Sequence, residues 1–223
     1  MPTSKPLVIY GVGGFGREVA MLIEDVNADK SKWNVLGFLS DDAAQHGVRV
    51  GGLPVLGGAE ALVRLPERPF LCFGVGSPVI KRKLAQRIRA DVAGFATLLH
   101  PSVVRGHSVE SGVGLIACAG SILTVDIRLG DFVTLNLACT VGHDCVLGDY
   151  VTVAPGANIS GNVTIGTGCD IGTGTAIVQG QEIGQWSIVG AGAVVSRSLP
   201  ADCTAVGIPA KPIKTREAGW YEL

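Results

Sequence analysis

The sequence has few aromatic residues, few charged residues and no long apolar segment. Aromatic residues make up 5% of the 223 residues and charged residues 17%, whereas 32 residues are glycine. The apolar interior must therefore be built from aliphatic side chains, with many tight turns between short segments. The formal net charge is −1, which provides no strongly positive surface for nucleic acid or an anionic membrane. We expect neither of them as a partner.

Signals for export, for a disulfide framework and for a zinc site are also lacking. The apolar run at 6–10 is much shorter than the apolar region of a signal peptide or a membrane span. No two cysteines have the C-x-x-C spacing, and most lie among aliphatic residues, as small buried side chains in a reducing compartment do. The six are Cys72, Cys118, Cys139, Cys145, Cys169 and Cys203. We predict a cytoplasmic protein without a bound metal.

The N-terminal part alternates strand-like and helix-like segments. The runs 6–10, 35–39 and 70–75 are short and apolar, as buried parallel strands are. Apolar residues in 17–26 recur at the spacing of one helical face, and 80–88 has the pattern of a basic amphipathic helix. This order predicts a small parallel α/β sheet, a Rossmann-like mononucleotide-binding domain at 1–98.

After Pro101 the sequence repeats with a period of six. Every sixth residue from 129 onward is aliphatic, and glycine follows many of these positions directly. Most residues two places before each aliphatic residue are small or apolar. The aliphatic series is Leu129, Leu135, Val141, Leu147, Val153, Ile159, Ile165, Ile171, Ile177, Ile183, Val189 and Val195.

A sustained period of six predicts a parallel β-helix with three short strands in each turn of 18 residues. Each inward aliphatic side chain contributes about 1.5–3 kcal/mol through burial, and we attribute the glycines to difficult backbone conformations at the corners. Val103, Val109 and Leu115 repeat in another register, which predicts an insertion of about two residues near 116–122. We place the β-helix at 99–212 and a C-terminal tail at 213–223.

Motifs in both parts resemble the hexapeptide-repeat acyltransferases, in particular the sialic acid O-acetyltransferase and bacillosamine N-acetyltransferase group (NeuD/PglD-like), including its nucleotide-perosamine-type sugar N-acetyltransferases. The resemblance implies a left-handed coil, a homotrimer and acetyl-CoA bound between neighbouring subunits. The motifs are VIYGVGGFGRE (8–18), FLSDD (38–42), FGVGSPVIKRKL (73–84), LHPSV (99–103), LNLACTVGHDCVLGDYVTVAPGANISGNVTIG (135–166) and VGIPAKPI (206–213).

His143 is the strongest candidate for a catalytic residue. It follows Val141 and Gly142, so it should lie outside the coil at a corner, where a neutral imidazole with an ordinary pKa of about 6.5 can accept a proton. The resemblance implies this general-base role, with Asp144 orienting the imidazole. One turn of 18 residues places Gly161 next to His143, where its N–H can stabilise an oxyanion. The alternative is a solvated surface histidine.

The resemblance also implies residues that bind the acceptor and the acyl donor. Asn136 matches an asparagine near the acceptor, although it can equally serve to satisfy a corner of the coil. Backbone contacts to CoA are expected from two successive turns and from the segment 208–211, and a cationic side chain can meet the phosphates. The expected CoA-binding residues are Gly172, Thr173, Ala191, Gly192, Ile208, Pro209 and Lys211, with Arg197 as the other candidate cation.

A glycine-rich loop at 11–16 has the G-x-G-x-x-G pattern between a strand and a helix, where helix N-termini bind phosphate. Alone it is a modest indication of NAD, and the α/β segment has only the length of one mononucleotide-binding half. The resemblance instead implies a nucleotide-sugar, with its phosphates near Gly13 and Gly14 and its ribose and base near Asp41 and Asp42. Since some relatives use free sugars, a vestigial pocket is the alternative.

These observations predict an acetyl-CoA-dependent N-acetyltransferase acting on the 4-amino group of a nucleotide-linked amino-deoxysugar, carried by GDP, UDP or dTDP. O-acetylation of sialic acid is the first alternative, and a non-catalytic nucleotide-sensing scaffold is the second. A γ-type carbonic anhydrase requires three histidines around a metal. The expected register slip between His107 and His143, and the lack of a third ligand after His143, argue against it.

Overall fold

The computed structural model describes residues 4–29 and 31–222. The chain divides into two compact units, the first comprising Met1–Gly76 and Ile80–Pro101, the second Ser77–Val79 and Ser102–Leu223. The sequence places its domain boundary at 98/99, just before the change from the first unit to the second. None of the helices in the described parts of the chain is long and apolar enough to cross a membrane.

The first unit is built around a six-stranded sheet with the order β3-β4-β2-β1-β5-β6, in which only β3 and β4 are antiparallel neighbours. Its strands are β1 (Lys5–Tyr10), β2 (Trp33–Leu39), β3 (Arg49–Val50), β4 (Leu53–Gly57), β5 (Phe70–Phe73) and β6 (Gly94–Phe95), followed by a short β7 (Leu98–Leu99). The helices are α1 (Gly14–Asp29) and α2 (Pro78–Ile88), with 3₁₀ turns at Ala43–Gln45 and Ala59–Arg64.

The predicted strands and helices of this unit are present, each with bounds shifted by a few residues. Leu7, Val8 and Ile9 of β1 are fully buried, as are Val19 and Ile23 of α1. The hairpin formed by β3 and β4 was not predicted. β3 has only two residues, too few for a sequence pattern, and β4 contains Pro54, which weakens the indication of a strand.

The second unit is a three-sided parallel β-helix. Successive strands belong to three different sheets. In this unit the first sheet has the strand order β10-β13-β16-β19-β22-β24-β25, and the second has the order β8-β11-β14-β17-β20-β23. The third has the order β9-β12-β15-β18-β21. They are β8 (Val104–Arg105), β9 (Val109–Ser111), β10 (Ile116–Ala117), β11 (Ile122–Leu123), β12 (Ile127–Leu129), β13 (Thr134–Leu135), β14 (Thr140–Val141), β15 (Val146–Leu147), β16 (Thr152–Val153), β17 (Asn158–Ile159), β18 (Thr164–Ile165), β19 (Asp170–Ile171), β20 (Ala176–Ile177), β21 (Glu182–Ile183), β22 (Ile188–Val189), β23 (Val194–Val195), β24 (Cys203–Val206) and β25 (Lys211–Thr215).

The register of the coil is continuous from its first turn, so the predicted insertion near 116–122 is wrong. Leu123 pairs with Arg105, and Leu129 pairs with Ser111, at the same offset of 18 that relates later turns. Arg105, which is exposed, and Ser111 stand at the register positions that aliphatic residues occupy in later turns. The apolar residues Val109 and Leu115 lie two places earlier in the same register.

Glycines at the corners meet two different requirements, and the prediction recognised only one of them. A Cβ on Gly142, which follows the aliphatic Val141, would lie 2.6 Å from the backbone nitrogen of Gly161 in the next turn. Glycine is therefore required there because the turns approach closely. The left-handed backbone conformation lies two residues after Gly142, at Asp144 with a φ of 59°. The equivalent position of the next turn is Asn162, with a φ of 55°. Aspartate and asparagine tolerate this conformation better than most residues.

The C-terminal segment that the sequence sets apart as a tail packs onto the β-helix as far as residue 222. β25 pairs antiparallel with β24, and a 3₁₀ turn follows at Trp220–Glu222. The ring of Tyr221 stacks on Trp186 with centroids 3.8 Å apart. Leu223 lies outside the described residues.

Candidate active site

His143 lies at the corner between β14 and β15, as predicted. Its side chain is 52% exposed, and its Nδ1 is 2.7 Å from Oδ2 of Asp144. Because a carboxylate only accepts hydrogen bonds, Nδ1 carries a proton, so that in the neutral ring Nε2 is the acceptor. The left-handed backbone of Asp144 turns its carboxylate back toward the imidazole. The corner thus presents an exposed base whose tautomer is set by its neighbour.

Gly161 is the residue stacked against His143 in the next turn. A methyl group on Gly161 would overlap the imidazole, with Cδ2 at 2.8 Å, so the ring occupies the space that a side chain would fill. The carbonyl oxygen of His143 accepts from the N–H of Asn162 at 2.6 Å. Among the described residues, no backbone hydrogen bond uses the N–H of Gly161. That N–H remains available as a donor close to the imidazole.

Cys145 is the nearest thiol to this corner, and it points into the coil. Its side chain is buried, and Sγ donates to the carbonyl oxygen of Ser160 at 3.1 Å. Burial raises the pKa of the Cys145 thiol, which disfavours the thiolate that a nucleophile requires. The chemistry available at the corner is therefore that of a base rather than of an acyl-enzyme.

The remaining candidates of the β-helix lie along another corner, between the first and second sheets. Asn136 is there, with its side-chain oxygen 2.7 Å from the N–H of Leu137. Gly172 and Ala191 are stacked in successive turns of the same corner, since a Cβ on Gly172 would lie 2.6 Å from the nitrogen of Ala191. Thr173 and Gly192 are joined by a hydrogen bond of 2.8 Å. Within one chain, β14 separates this edge from His143.

The segment 208–211 brings Lys211 to a small pocket that Arg197 also lines. A pocket of about 290 Å³ is lined by Ser196, Arg197, Pro209, Ala210 and Lys211. The N–H of Ala210 donates to the carbonyl oxygen of Val194 at 2.8 Å, which joins this segment to the second sheet. Ile208 is exposed at its tip. The structure therefore brings together the two side chains that the sequence offered as alternative phosphate ligands.

The glycine-rich loop separates into packing glycines and open glycines. A Cβ on Gly11 would lie 2.7 Å from the carbonyl oxygen of Gly74, and one on Gly16 would overlap the carbonyl oxygen of Gly11. These two glycines let α1 approach the sheet. By contrast, no atom of residues 4–29 or 31–222 outside the immediate neighbours lies within 4 Å of a Cβ placed on Gly13 or Gly14. The backbone at these two positions is open to a phosphate at the N-terminus of α1.

The two aspartates after β2 differ in their surroundings. Oδ1 of Asp42 accepts from the N–H of Ala44 at 3.0 Å and caps the 3₁₀ turn. Oδ1 of Asp41 accepts from the hydroxyl of Tyr10 at 2.6 Å, and Arg87 is 2.8 Å away. The prediction missed Tyr10 and Arg87. For Arg87, the one sequence signal is its position in the last turn of a basic amphipathic helix.

A metal site does not emerge from the side chains. In the described parts of the chain, no group of three or more His, Cys, Asp or Glu residues could hold a metal ion. Because the register is continuous, His107 and His143 do lie in one column, two turns apart, and the sequence argument that a slip separates them was wrong. Val125 occupies the turn between them, as the hydrogen bond from Asp144 to its carbonyl oxygen shows.

Comparison with known proteins gives the same picture along the chain. The model of the PglD N-terminal domain matches residues 6–88. The GDP-perosamine N-acetyltransferase of Escherichia coli O157:H7 is 33% identical over 156 residues, 69% of this chain and 69% of that protein. The chain belongs to the NeuD/PglD-like family of hexapeptide-repeat acyltransferases.

Solved structures of similar proteins extend the match over both units. The acetyltransferase domain of PglB from Neisseria gonorrhoeae FA1090, in complex with acetyl coenzyme A, has a TM-score of 0.83 at 32% identity, covering 95% of this chain and 100% of that one. PerB from Caulobacter crescentus, in complex with CoA and GDP-perosamine, has a TM-score of 0.84 at 31% identity, covering 96% and 99%. As a member of the NeuD/PglD-like family, the protein is an acetyltransferase, and the predicted α/β domain followed by a left-handed β-helix is confirmed.

Proposed function

We propose that the protein transfers the acetyl group of acetyl-CoA to the 4-amino group of a nucleotide-linked amino-deoxysugar. The observation that carries this proposal is the exposed His143–Asp144 pair stacked on Gly161, a glycine with an unused N–H. The relatives support the reaction class, since one is a GDP-perosamine N-acetyltransferase and others bind acetyl-CoA, or CoA together with GDP-perosamine.

In the proposed reaction the amine attacks the thioester carbonyl carbon directly. The C–N bond forms, and the N–H of Gly161 donates to the developing oxyanion. Nε2 of His143 accepts the amine proton, while Asp144 stabilises the resulting imidazolium through Nδ1. The carbonyl then re-forms as the C–S bond breaks, and the CoA thiolate takes the proton that Nε2 of His143 had accepted, which returns the imidazole to its neutral form. No covalent enzyme intermediate is needed, which agrees with the burial of Cys145.

In this proposal the acyl donor binds along the corner between the first and second sheets of the coil. Gly172, Thr173, Ala191 and Gly192 offer backbone groups along one edge, and Lys211 and Arg197 share a pocket suited to phosphates. Asn136 lies on this edge as well. Since β14 separates it from His143 within one chain, a site that contains both edges requires a second copy. We therefore propose a homotrimer with one active site at each interface.

The acceptor is anchored through its nucleotide by the first unit. The open glycines Gly13 and Gly14 would face its phosphates, and Asp41 and Asp42 its ribose and base. We place the protein in the cytoplasm, because its six cysteines are buried and small buried thiols are typical of proteins from a reducing compartment.

Release of the CoA thiol tests the proposal. Purified protein is mixed with acetyl-CoA and, in turn, with GDP-, UDP- and dTDP-linked 4-amino-deoxysugars and with sialic acid. Thiol release with an amino-sugar, and a product heavier by one acetyl group, supports the proposal. Release with sialic acid alone would favour O-acetylation, and no release with any of these acceptors would contradict the proposed substrate class.

A further inference from the structure

Tyr10, Asp41 and Arg87 form a hydrogen-bonded network at the edge of the first unit's sheet. Tyr10 is the last residue of β1, Asp41 is the second residue after β2, and Arg87 lies in the last turn of α2. The Tyr10 hydroxyl donates to Oδ1 of Asp41 at 2.6 Å, and Nη2 of Arg87 lies 2.8 Å from Oδ1 and 3.1 Å from Oδ2. Arg87 also donates to the Tyr10 hydroxyl.

The network runs from the core to the solvent. Tyr10 is 2% exposed, whereas the side chains of Arg87 and Asp41 are 47% and 59% exposed. Exposed ion pairs contribute little stability, about 0–1 kcal/mol. A buried tyrosine that holds an exposed aspartate in one orientation is therefore poorly explained as a stabilising device.

The network also keeps the carboxylate ionised. Burial acts to raise the pKa of Asp41, but the hydrogen bonds from Tyr10 and Arg87 outweigh it, and the pKa of Asp41 is lowered. Charge on His46 acts in the same direction. Asp41 is therefore a charged hydrogen-bond acceptor that the surrounding side chains hold in place.

Asp41 lies at the edge of the sheet where ligands bind in α/β proteins, at the carboxyl ends of the strands. Tyr10, which ends β1 and precedes the glycine-rich loop, pairs with Leu39 at the end of β2. The open glycines Gly13 and Gly14 and the carboxylate of Asp41 thus follow adjacent parallel strands.

The hydrogen bonds leave one acceptor direction on the carboxylate. Oδ1 already receives two donors, from Tyr10 and Arg87, whereas among the described residues Oδ2 receives only the longer contact from Arg87. A carboxylate oxygen can accept two hydrogen bonds. We propose that Tyr10 and Arg87 are positioning residues of the nucleotide subsite, which orient Asp41 so that Oδ2 accepts from an N–H or O–H of the nucleoside. This inference rests on the proposed function.

Binding of intact nucleotide-sugars tests the inference. GDP-mannose, UDP-N-acetylglucosamine and dTDP-glucose lack the acceptor amine, and the one that binds wild type most tightly in isothermal titration calorimetry serves as the probe. Arg87→Met is expected to weaken its binding about tenfold and Tyr10→Phe about threefold to tenfold, because an ordered charged acceptor is lost. The KM for acetyl-CoA and the melting temperature should stay unchanged. Arg89→Met, which removes an exposed charge two residues away, should bind like wild type.

A double-mutant cycle separates positioning from direct contact. If Arg87 acts through Asp41, Arg87→Met in an Asp41→Asn background should weaken binding by less than about twofold. A full tenfold loss in that background would overturn positioning and make Arg87 a direct ligand. Unchanged binding by both Arg87→Met and Tyr10→Phe would also overturn it. Failure of wild type to bind any of the three probes would instead overturn the nucleotide subsite of the proposed function, and the inference with it.

Discussion

At the scale of single residues, the candidate active site depends on the lack of a side chain at Gly161 as well as on His143 and Asp144. The imidazole of His143 rests where Gly161 has no side chain, and its Nδ1 proton is held by Asp144 at 2.7 Å. The two residues adjacent in sequence form the acid–base pair, and the glycine one turn away supplies the space. Each of these three contributions can be tested separately.

Replacement of His143 tests the general base. We expect His143→Ala to lower kcat by about 10²–10⁴-fold, the usual range for general-base catalysis, with little change in the KM for acetyl-CoA. Steady-state kinetics with thiol detection measures both. If kcat stays within about tenfold of wild type, roughly 1.4 kcal/mol, the amine arrives already neutral and the base assignment is wrong, although the acetyltransferase class stands.

A methyl group at Gly161 tests the stacking. Gly161→Ala would overlap the imidazole and displace it from its position above the corner, so we expect kcat to fall by about tenfold or more. Gly148→Ala is the matched control, because a Cβ there also meets the next turn, 2.6 Å from the nitrogen of Thr167, but at another corner. Equal losses of kcat in the two variants would show that spacing between turns, and not His143, is responsible.

At the scale of elements, helix α1 and the β-helix show how far sequence periodicity predicts secondary structure. The period of six identified the strands and their inward residues, and the apolar spacing in 17–26 identified α1. The hairpin of β3 and β4 carried no such signal. The register of the first turn was misjudged because Arg105 and Ser111 stand at positions where burial elsewhere selects aliphatic residues.

The glycine-rich loop can be tested at its open position. Gly13→Val would place a side chain in space that the described part of the chain leaves open. We expect the KM for the nucleotide-sugar to rise about tenfold or more, equivalent to roughly 1.4 kcal/mol. The KM for acetyl-CoA should be nearly unchanged. Similar losses for both substrates would indicate a misfolded unit, which is the result expected of Gly16→Ala, where a methyl group overlaps the backbone.

The β-helix should be sensitive to cavities on its inward face only. Ile177 is 1% exposed, whereas its neighbour Val178 is 44% exposed. We expect Ile177→Ala to lower the free energy of unfolding by about 2–5 kcal/mol, and Val178→Ala to change it by no more than about 0.5 kcal/mol. Denaturant unfolding followed by circular dichroism measures the difference. Comparable effects from the two substitutions would contradict the assignment of inward and outward faces.

At the scale of the whole molecule, the proposed mechanism requires several copies of the chain to assemble. His143 and Gly161 lie on one edge of the prism, and Asn136, Gly172 and Ala191 lie on another, with the strand β14 between them. We therefore propose that the two edges meet at one acetyl group only when they come from different copies. A threefold arrangement of parallel coils would supply each edge from a different copy.

Light scattering tests this assembly. The mass of the chain is 23.0 kDa, and we expect the protein at micromolar concentration to have three times that mass. Mixing inactive His143→Ala chains with chains altered on the Asn136 edge should restore part of the activity, because some interfaces then combine two intact edges. A monomer that is fully active would contradict the shared site.

The sequence by itself determined the β-helix, the position of His143 outside it and the α/β character of the first unit. These features follow from local periods and from motifs of neighbouring residues, which survive in one dimension. Only the tertiary structure decided which glycines are packed and which are open, that the first turn keeps the common register, and that the segment up to residue 222 packs on Trp186. It also joined Tyr10, Asp41 and Arg87, because contacts between residues so distant in the chain have no periodic signature and exist only once the sheet and helix are assembled.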